Sequence, residues 1–383
     1  MKHVYKIFIL LSIVLLLACQ SKNKKQEPVK IPAYLSELDS LFTRHFEEGL
    51  FQGGIVISKK GEVLYEEYFG EADRAWGIPV DANVKFDIAS VNKSMIAALT
   101  MKAVEEGRLN LGDRLIDLLS GFEIKGTFHP EITLHHLLSH TSGLPDYDAV
   151  SEELRADRFT KFKRCRFNNE DYVDFISQLP AVNEPNQQFY YSNFAYHLLA
   201  IVLEMEFDMG FDQILQEYLT QPLGLANTVS SSRNEEIIDK LANAYLYDDG
   251  RKEWIETPYI DLSLGRRIFS TPSDLNRWAL VMNNPGYLSQ ASLDLIQKNH
   301  LAGISKDVSY GYGWVTVNKD NPSKMGDLGI ELPYIIHGGS TDGYKAMLVN
   351  IGGGELVISF LSNVGNKTNE LDLAQKIVNL LIK

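Results

Sequence analysis

Asp87-Ile-Ala-Ser-Val-Asn-Lys-Ser-Met-Ile96 sets Ser90 and Lys93 three residues apart where a run with helical apolar spacing begins, and residues at i and i+3 share a helical face. A serine there offers its own backbone N–H, at the positive end of the helix, to a developing oxyanion, while the amine of Lys93 lies within reach of its hydroxyl. That is a nucleophile beside a base. Lys93 serves as one only when neutral, which takes desolvation or neighbouring positive charge. Alone, Ser-x-x-Lys is also the pattern of a capped helix with a surface lysine. The flank Met95, Ile96, Ala97, Ala98 and Leu99 predicts a buried helix instead, and burying a lysine without a task or partner is costly.

Two later stretches carry matching chemistry. Pro185-Asn-Gln-Gln-Phe-Tyr-Tyr-Ser-Asn-Phe194 turns into another helical pattern. Tyr191 can relay a proton between Ser90 and a leaving group, and the amide of Asn193 can bond both Lys93 and a substrate amide. As plain structure, the stretch is an aromatic helix entry with Asn193 as N-cap. Tyr190 competes for the role, but Tyr191 has the right offset from the asparagine. Pro333-Tyr-Ile-Ile-His-Gly-Gly-Ser-Thr-Asp-Gly-Tyr344 places His337-Gly-Gly-Ser340 just before a strand pattern from Lys345. Glycines here, Gly339 among them, let a substrate backbone approach an edge strand, and the next exposed N–H completes an oxyanion hole.

Around these motifs, apolar periodicity predicts an amphipathic helix from Leu35 through Leu38, Phe42 and Phe46. A hairpin follows from Gly54–Ser58 to Glu62–Phe69 across Lys59-Lys60-Gly61. Near the other end, Lys345–Asn350 and Glu355–Leu361 flank Gly352-Gly353-Gly354, and a last helix turns Leu371, Ile377, Val378 and Leu381 to one side. Between about Ser90 and Asp274 the pattern is mostly helical, with segments near Ser94–Glu106, Asn193–Glu204 and Phe211–Leu219. The expected fold class is α/β (α+β): an antiparallel sheet built from both chain ends and flanked by helices, with an all-α subdomain of about 90–264 inserted. No internal repeat is evident.

Lys2 and Lys6 precede an apolar run from Ile7 to Ala18, too short to span a bilayer comfortably, which ends in Leu16-Leu17-Ala18-Cys19. This resembles the lipobox of bacterial lipoproteins, with residues 1–19 as signal peptide and Cys19 as the lipidated first residue. Residues 20–32, with Lys22, Lys24 and Lys25, read as a flexible tether, leaving 33–383 as one domain. The implied location is the bacterial cell envelope, and Gln20 rather than aspartate after the cysteine suits the periplasmic side of an outer membrane. A net charge of −13 over 383 residues argues against nucleic acid as a partner and against broad contact with anionic lipid. The expected membrane contact is the anchor on Cys19. With that cysteine lipidated, Cys165 is left alone and no intramolecular disulfide can form; its basic surroundings offer no evident partner base.

Ser90-Val-Asn-Lys93, Tyr191-Ser-Asn193 and His337-Gly-Gly339, in that order, resemble the three motifs of the serine β-lactamase and D-alanyl-D-alanine peptidase superfamily, in its class C β-lactamase-like branch, which includes esterases. Phrases between them are similar too: Gly61-Glu-Val-Leu-Tyr65, Ile132-Thr-Leu-His-His-Leu-Leu-Ser-His-Thr-Ser-Gly-Leu-Pro145, Pro222-Leu-Gly-Leu225, Ser270-Thr-Pro-Ser-Asp-Leu275 and Tyr310-Gly-Tyr-Gly-Trp314. The resemblance runs from about Gly53 to Leu361 and implies a β-lactamase/transpeptidase-like fold. It implies that Ser90 is acylated, that Lys93 and Tyr191 share the proton work, that Asn193 binds the substrate amide, and that the N–H groups of Ser90 and Ser340 form the oxyanion hole.

Departures matter as much. The class C enzymes carry lysine where this chain has His337, a weaker and pH-dependent anchor for a substrate carboxylate, so potent β-lactamase activity is not expected. Gly265-Arg266-Arg267 replaces a glycine-rich phrase; either arginine could bind a carboxylate or simply partner an acidic residue. Asn186 stands where a glycine is usual, but asparagine tolerates positive φ. His135, His136 and His140 suggest a metal, yet His-Leu-Leu-Ser-His lacks the glutamate of a zinc-protease helix. No metal site or cofactor is expected, and no phosphate loop or dinucleotide fingerprint is present in the sequence. Three functions follow. One is a hydrolase of esters or small amides; the second is a peptidoglycan-directed D,D-peptidase or weak β-lactamase; the third is a catalytically inactive envelope binding or scaffold protein on the same fold. The intact Ser90, Lys93 and Tyr191 set speaks against the third.

Overall fold

A computed structural model describes residues 32–147, 150, 168–231, 236–257, 266–341 and 343–382. The stretch read as a signal peptide, with Cys19, the expected tether up to residue 31, Cys165 and Gly265 lie outside the described residues.

The first helical pattern forms α1 (Ala33–Glu47), burying Leu38, Leu41 and Phe42. Phe42 meets the ring of Phe51 edge-on at 5.2 Å and stacks on that of Phe69 at 5.8 Å. β1 (Gly53–Lys59) and β2 (Glu62–Phe69) make the expected hairpin. Next come α2 (Asn92–Glu105), α3 (Leu134–Leu138), α4 (Asn193–Phe207), β3 (Arg267–Ser270) and α5 (Pro272–Val281). The chain closes with β4 (Val315–Val317), β5 (Tyr334–Thr341), β6 (Tyr344–Ile351), β7 (Leu356–Ser362) and α6 (Glu370–Leu381). Among the described residues no helix is long and apolar enough to cross a membrane.

The main sheet has the order β4-β5-β6-β7-β1-β2 and every pairing is antiparallel. Strands from the two ends of the chain therefore meet at its centre, where Ile57 lies opposite Ile358. β1 and β7 are buried almost throughout because both sheet faces are covered. One face packs Ile55, Ile57, Ile358 and Phe360 against Leu38 and Phe42 of α1 and Leu373 and Ile377 of α6. The other packs Leu348, Val357 and Leu361 into the larger core with Trp278 of α5 and the residues of α2 and α4. α5 is fastened to the sheet by buried polar bonds: Ser58 donates to Asn276 at 2.6 Å, and Ser359 donates to the Pro272 carbonyl at 2.8 Å. Each such bond contributes about 1 kcal/mol net, and losing one partner costs more.

The stretch read as helical is not uniformly so. The helix expected over Phe211–Leu219 ends at Leu215 and continues as a single π-helical turn, Gln216–Thr220. Short strands Val229–Ser231, Tyr245–Asp248 and Glu253–Glu256 fall inside it as well. The first pairs with β3 and the other two with each other. Runs of three or four residues are too short for alternation to declare itself against a helical background.

Candidate active site

Ser90 does not open the α-helix itself. It sits in a one-turn 3-10 helix, Ala89–Val91, which leads into α2. Ala89 lies at φ +47°, a left-handed conformation that costs an L-residue about 1–2 kcal/mol. Asp87 holds that turn, its Oδ1 accepting the Ala89 N–H at 2.7 Å. The other carboxylate oxygen of Asp87 pairs with the buried guanidinium of Arg267. Beneath, Trp278 donates to Ser94 Oγ, which donates to the Val91 carbonyl.

One turn on, Lys93 is buried. Its Nζ lies 3.2 Å from Ser90 Oγ and 2.8 Å from Asn193 Oδ1. Burial pushes Lys93 down to about 7, against the pull of the Asp146 carboxylate, so a large share of the amine is neutral at neutral pH. Tyr191 hydrogen-bonds with Ser90, while burial pushes its own hydroxyl up. It therefore stays protonated near pH 7 and is not a ready phenolate. Its ring centre is 5.0 Å from Lys93 Nζ and 4.3 Å from the imidazole of His140. Tyr190 is held by its backbone, donating to the His140 carbonyl.

Asn193 is the first residue of α4, and Ser192, not Asn193, is the N-cap: Ser192 Oγ accepts from the Ala195 N–H at 3.2 Å. That frees the Asn193 side chain for the cleft. Asp146 receives both its backbone N–H, at 3.0 Å, and its Nδ2–H, at 2.9 Å. Burial pushes the Asp146 carboxyl up, while bonds from Asn193 and the charge of Lys93 pull it down. Asp146 and His140 stand at this site without a role assigned to them from the sequence. The sequence places His140 in a structural phrase and sets it against a metal site, and Asp146 carries no motif linking it to Asn193, 47 positions away.

The third motif lies on β5, whose outer edge is open beyond Ile336, where pairing with β4 stops. Gly339 faces the Ser90 turn: a Cβ there would meet the Ile88 carbonyl oxygen at 2.5 Å and the Ala89 Cβ at 3.1 Å. The missing side chain is thus used by the protein itself, to dock its nucleophile turn on β5. Ser340 lines the same cleft as Ser90, Lys93 and Asn193. His337 is turned inward and buried. Its Nδ1–H donates to the Gly338 carbonyl at 2.7 Å and its Nε2 accepts from the Tyr310 hydroxyl at 3.2 Å. Burial, together with the charge of Lys93, pushes it down to about 3. Both ring nitrogens are thus engaged within the protein, and the lowered pKa leaves the ring neutral near pH 7.

Both candidate arginines have acidic partners. Arg266 pairs with Glu204 and bonds Asn169, and Arg267 pairs with Asp87. The three histidines go three ways. His135 bonds the Tyr312 hydroxyl at 2.7 Å, His136 closes a capping box with Thr133 at the start of α3, and His140 accepts the Ser192 N–H at 3.1 Å. Among the described residues no three His, Cys, Asp or Glu side chains are grouped to hold a metal. Asn186 adopts φ +62° and donates its N–H to the Thr141 carbonyl. The phrase Tyr310–Trp314 wraps the back of α2, where a Cβ on Gly313, at φ +72°, would meet the Lys93 carbonyl oxygen at 2.4 Å.

A family model described as Beta-lactamase matches residues 38–381. Penicillin-binding protein 4* of Bacillus subtilis (strain 168) is 28% identical over 341 residues, covering 85% of this chain and 71% of that protein. Protein flp of Staphylococcus aureus (strain MW2) is 23% identical over 320 residues, and the chain spans only 60% of its length. Among solved structures, EstCE1, a hydrolase with promiscuous acyltransferase activity, superposes with a TM-score of 0.75 over 91% of this chain and 99% of that one at 19% identity. At that identity the likeness speaks to the fold alone.

Proposed function

The chain belongs to the β-lactamase family of serine hydrolases, and from that premise we propose that it forms an acyl-enzyme on Ser90 and cleaves esters or small amides. The observation that carries this is the buried Lys93 amine, its pKa lowered to about 7, 3.2 Å from the Ser90 hydroxyl. Neutral Lys93 takes the hydroxyl proton as Ser90 Oγ bonds to the substrate carbonyl carbon. The resulting oxyanion is met by the N–H groups of Ser90 and Ser340. The proton on Lys93 passes by way of Tyr191 to the leaving alcohol or amine as its bond to the carbonyl carbon breaks, leaving Tyr191 protonated and Lys93 neutral. Water then attacks the acyl-enzyme, its proton passing through the same groups to Ser90 Oγ as the acyl bond breaks, which returns the acid and free Ser90. Asn193 offers its remaining Nδ2–H to the acyl side of the substrate. Because His337 is neutral, the preferred substrates carry no free carboxylate to be anchored there.

A second reading, a peptidoglycan-directed D,D-peptidase or weak β-lactamase, is supported by the similarity to penicillin-binding protein 4*. The test is intact-mass spectrometry of the soluble body after incubation with a penicillin and, separately, with an activated small ester, each beside Ser90→Ala. Turnover or an adduct with the ester alone supports the first reading. A lasting penicilloyl adduct, absent from the control, supports the second. No reaction with either favours an inactive scaffold. We also propose that the protein is lipid-anchored in the envelope through Cys19, on the pattern Leu16-Leu17-Ala18-Cys19; Cys19→Ser should then leave the membrane fraction.

A further inference from the structure

We propose that Asp146 is a positioning residue that fixes the amide of Asn193 and, through it, keeps the lone pair of Lys93 aimed at Ser90; this rests on the reading of Ser90 as nucleophile. An asparagine amide can sit either way round, and its two ends do opposite things to an amine. A carboxylate only accepts. With Asp146 receiving the Asn193 backbone N–H at 3.0 Å and Nδ2–H at 2.9 Å, the amide is left one orientation, with Oδ1 toward Lys93 Nζ at 2.8 Å. Neutral Lys93 has two N–H groups and one lone pair. Oδ1 takes an N–H, so the lone pair remains for the Ser90 hydroxyl at 3.2 Å. Turned over, Nδ2–H would donate into that lone pair and remove the base.

Asp146 is itself held firmly. The segment His140–Asp146 is tied to the Tyr191 loop by Ser192 Oγ donating to the Pro145 carbonyl at 2.7 Å, Asn186 N–H to Thr141 at 2.7 Å and Val182 N–H to Gly143 at 2.9 Å. Around Lys93 stand this carboxylate, the neutral imidazoles of His140 and His337, and the hydroxyls of Tyr191 and Tyr196. Asp146 thus supplies the negative charge that acts on the amine, as well as the geometry.

The experiment is the rate of fluorophosphonate labelling of Ser90, followed by intact mass from pH 5 to 9 on the full chain, for wild type, Asp146→Asn, Asp146→Glu and Ser90→Ala. In labelling, Ser90 Oγ bonds to phosphorus, fluoride leaves and the hydroxyl proton passes to Lys93, so no natural substrate is needed. Asp146→Asn should label about tenfold or more slowly at its plateau. Its acid limb should move to lower pH, because the anion that favours protonated Lys93 is gone. Asp146→Glu, which keeps the charge and the accept-only oxygens, should return the limb toward the wild-type position. A folded Asp146→Asn protein with wild-type rate and limb overturns the proposal while leaving Ser90 as nucleophile. Failure of both Asp146 variants to fold overturns it in favour of a structural role. Labelling that survives in Ser90→Ala, or is absent in wild type, overturns the underlying reading and this inference with it.

Discussion

Asp87 accepts the backbone N–H of Ala89 at 2.7 Å, and this bond braces the left-handed residue that immediately precedes Ser90. Because the Asp87–Arg267 pair is buried on both sides, truncating either member strands a charge. Asp87→Ala should destabilise the fold by about 3–5 kcal/mol and slow acylation of Ser90 beyond what the loss of folded protein explains. Urea denaturation and active-site titration of the folded fraction separate the two effects.

Lys93 is pushed down to about 7 by burial and acts as base only when deprotonated. For a neutral ester, kcat/KM should therefore climb about tenfold per pH unit below that value and level off above it. Lys93→Arg, which cannot deprotonate, should lower kcat by about 10²–10⁴ with the fold intact by circular dichroism. The stability sign follows from the same shift: the unfolded chain binds the extra proton between about 7 and about 10.4, so Lys93 makes folding more favourable as pH rises through that window.

His337, at about 3, is neutral throughout the working range. Matched esters with and without a carboxylate on the leaving group should differ in kcat/KM in favour of the uncharged one. Their ratio should not change as pH falls from 8 to 5. A KM for the charged ester that drops below pH 7 in the wild type but not in His337→Gln would show a protonating imidazole, distinct from the titration of Lys93 in the same cleft, and refute this assignment.

His140 grips three consecutive residues: its carbonyl takes the Tyr190 N–H, its ring packs on Tyr191, and its Nδ1 takes the Ser192 N–H. Burial keeps it well below its ordinary pKa, which preserves Nδ1 as acceptor. His140→Ala removes ring and acceptor and should cost about 2–4 kcal/mol in chemical denaturation. In steady-state kinetics it should lower kcat more than KM rises, since Tyr191 is displaced while the substrate contacts stay.

What could be read beforehand divides along a physical line. The convergence of Ser90, Lys93 and Asn193 on one cleft, with Tyr191 beside them, was legible because the spacing that marks them is local, and the sheet built from both ends was legible because its strands are runs rich in β-branched and aromatic residues bounded by Gly-containing turns. Asp146, Ala89 and the inward turn of His337 were not. Asp146 is brought to Asn193 by folding, Ala89 is forced to φ +47° without the glycine that would announce it, and His337 takes its direction from Tyr310, 27 residues earlier. The arginines were legible only as a choice, since which acid faces Arg267 depends on β3 lying beside Phe86–Asp87.

The order of strands in the sheet also governs when this protein can first work. β1 at Gly53–Lys59 is made well before its neighbour β7 at Leu356–Ser362, and β5 with Ser340 comes some 250 residues after Ser90. A growing chain therefore carries Ser90 through some 250 further residues before the strand that packs on its turn is made. Contacts so distant in sequence also form slowly. Whatever chemistry Ser90 and Lys93 support thus waits on β5, and a fragment cut short before it would lack the strand on which the Ser90 turn docks through Gly339.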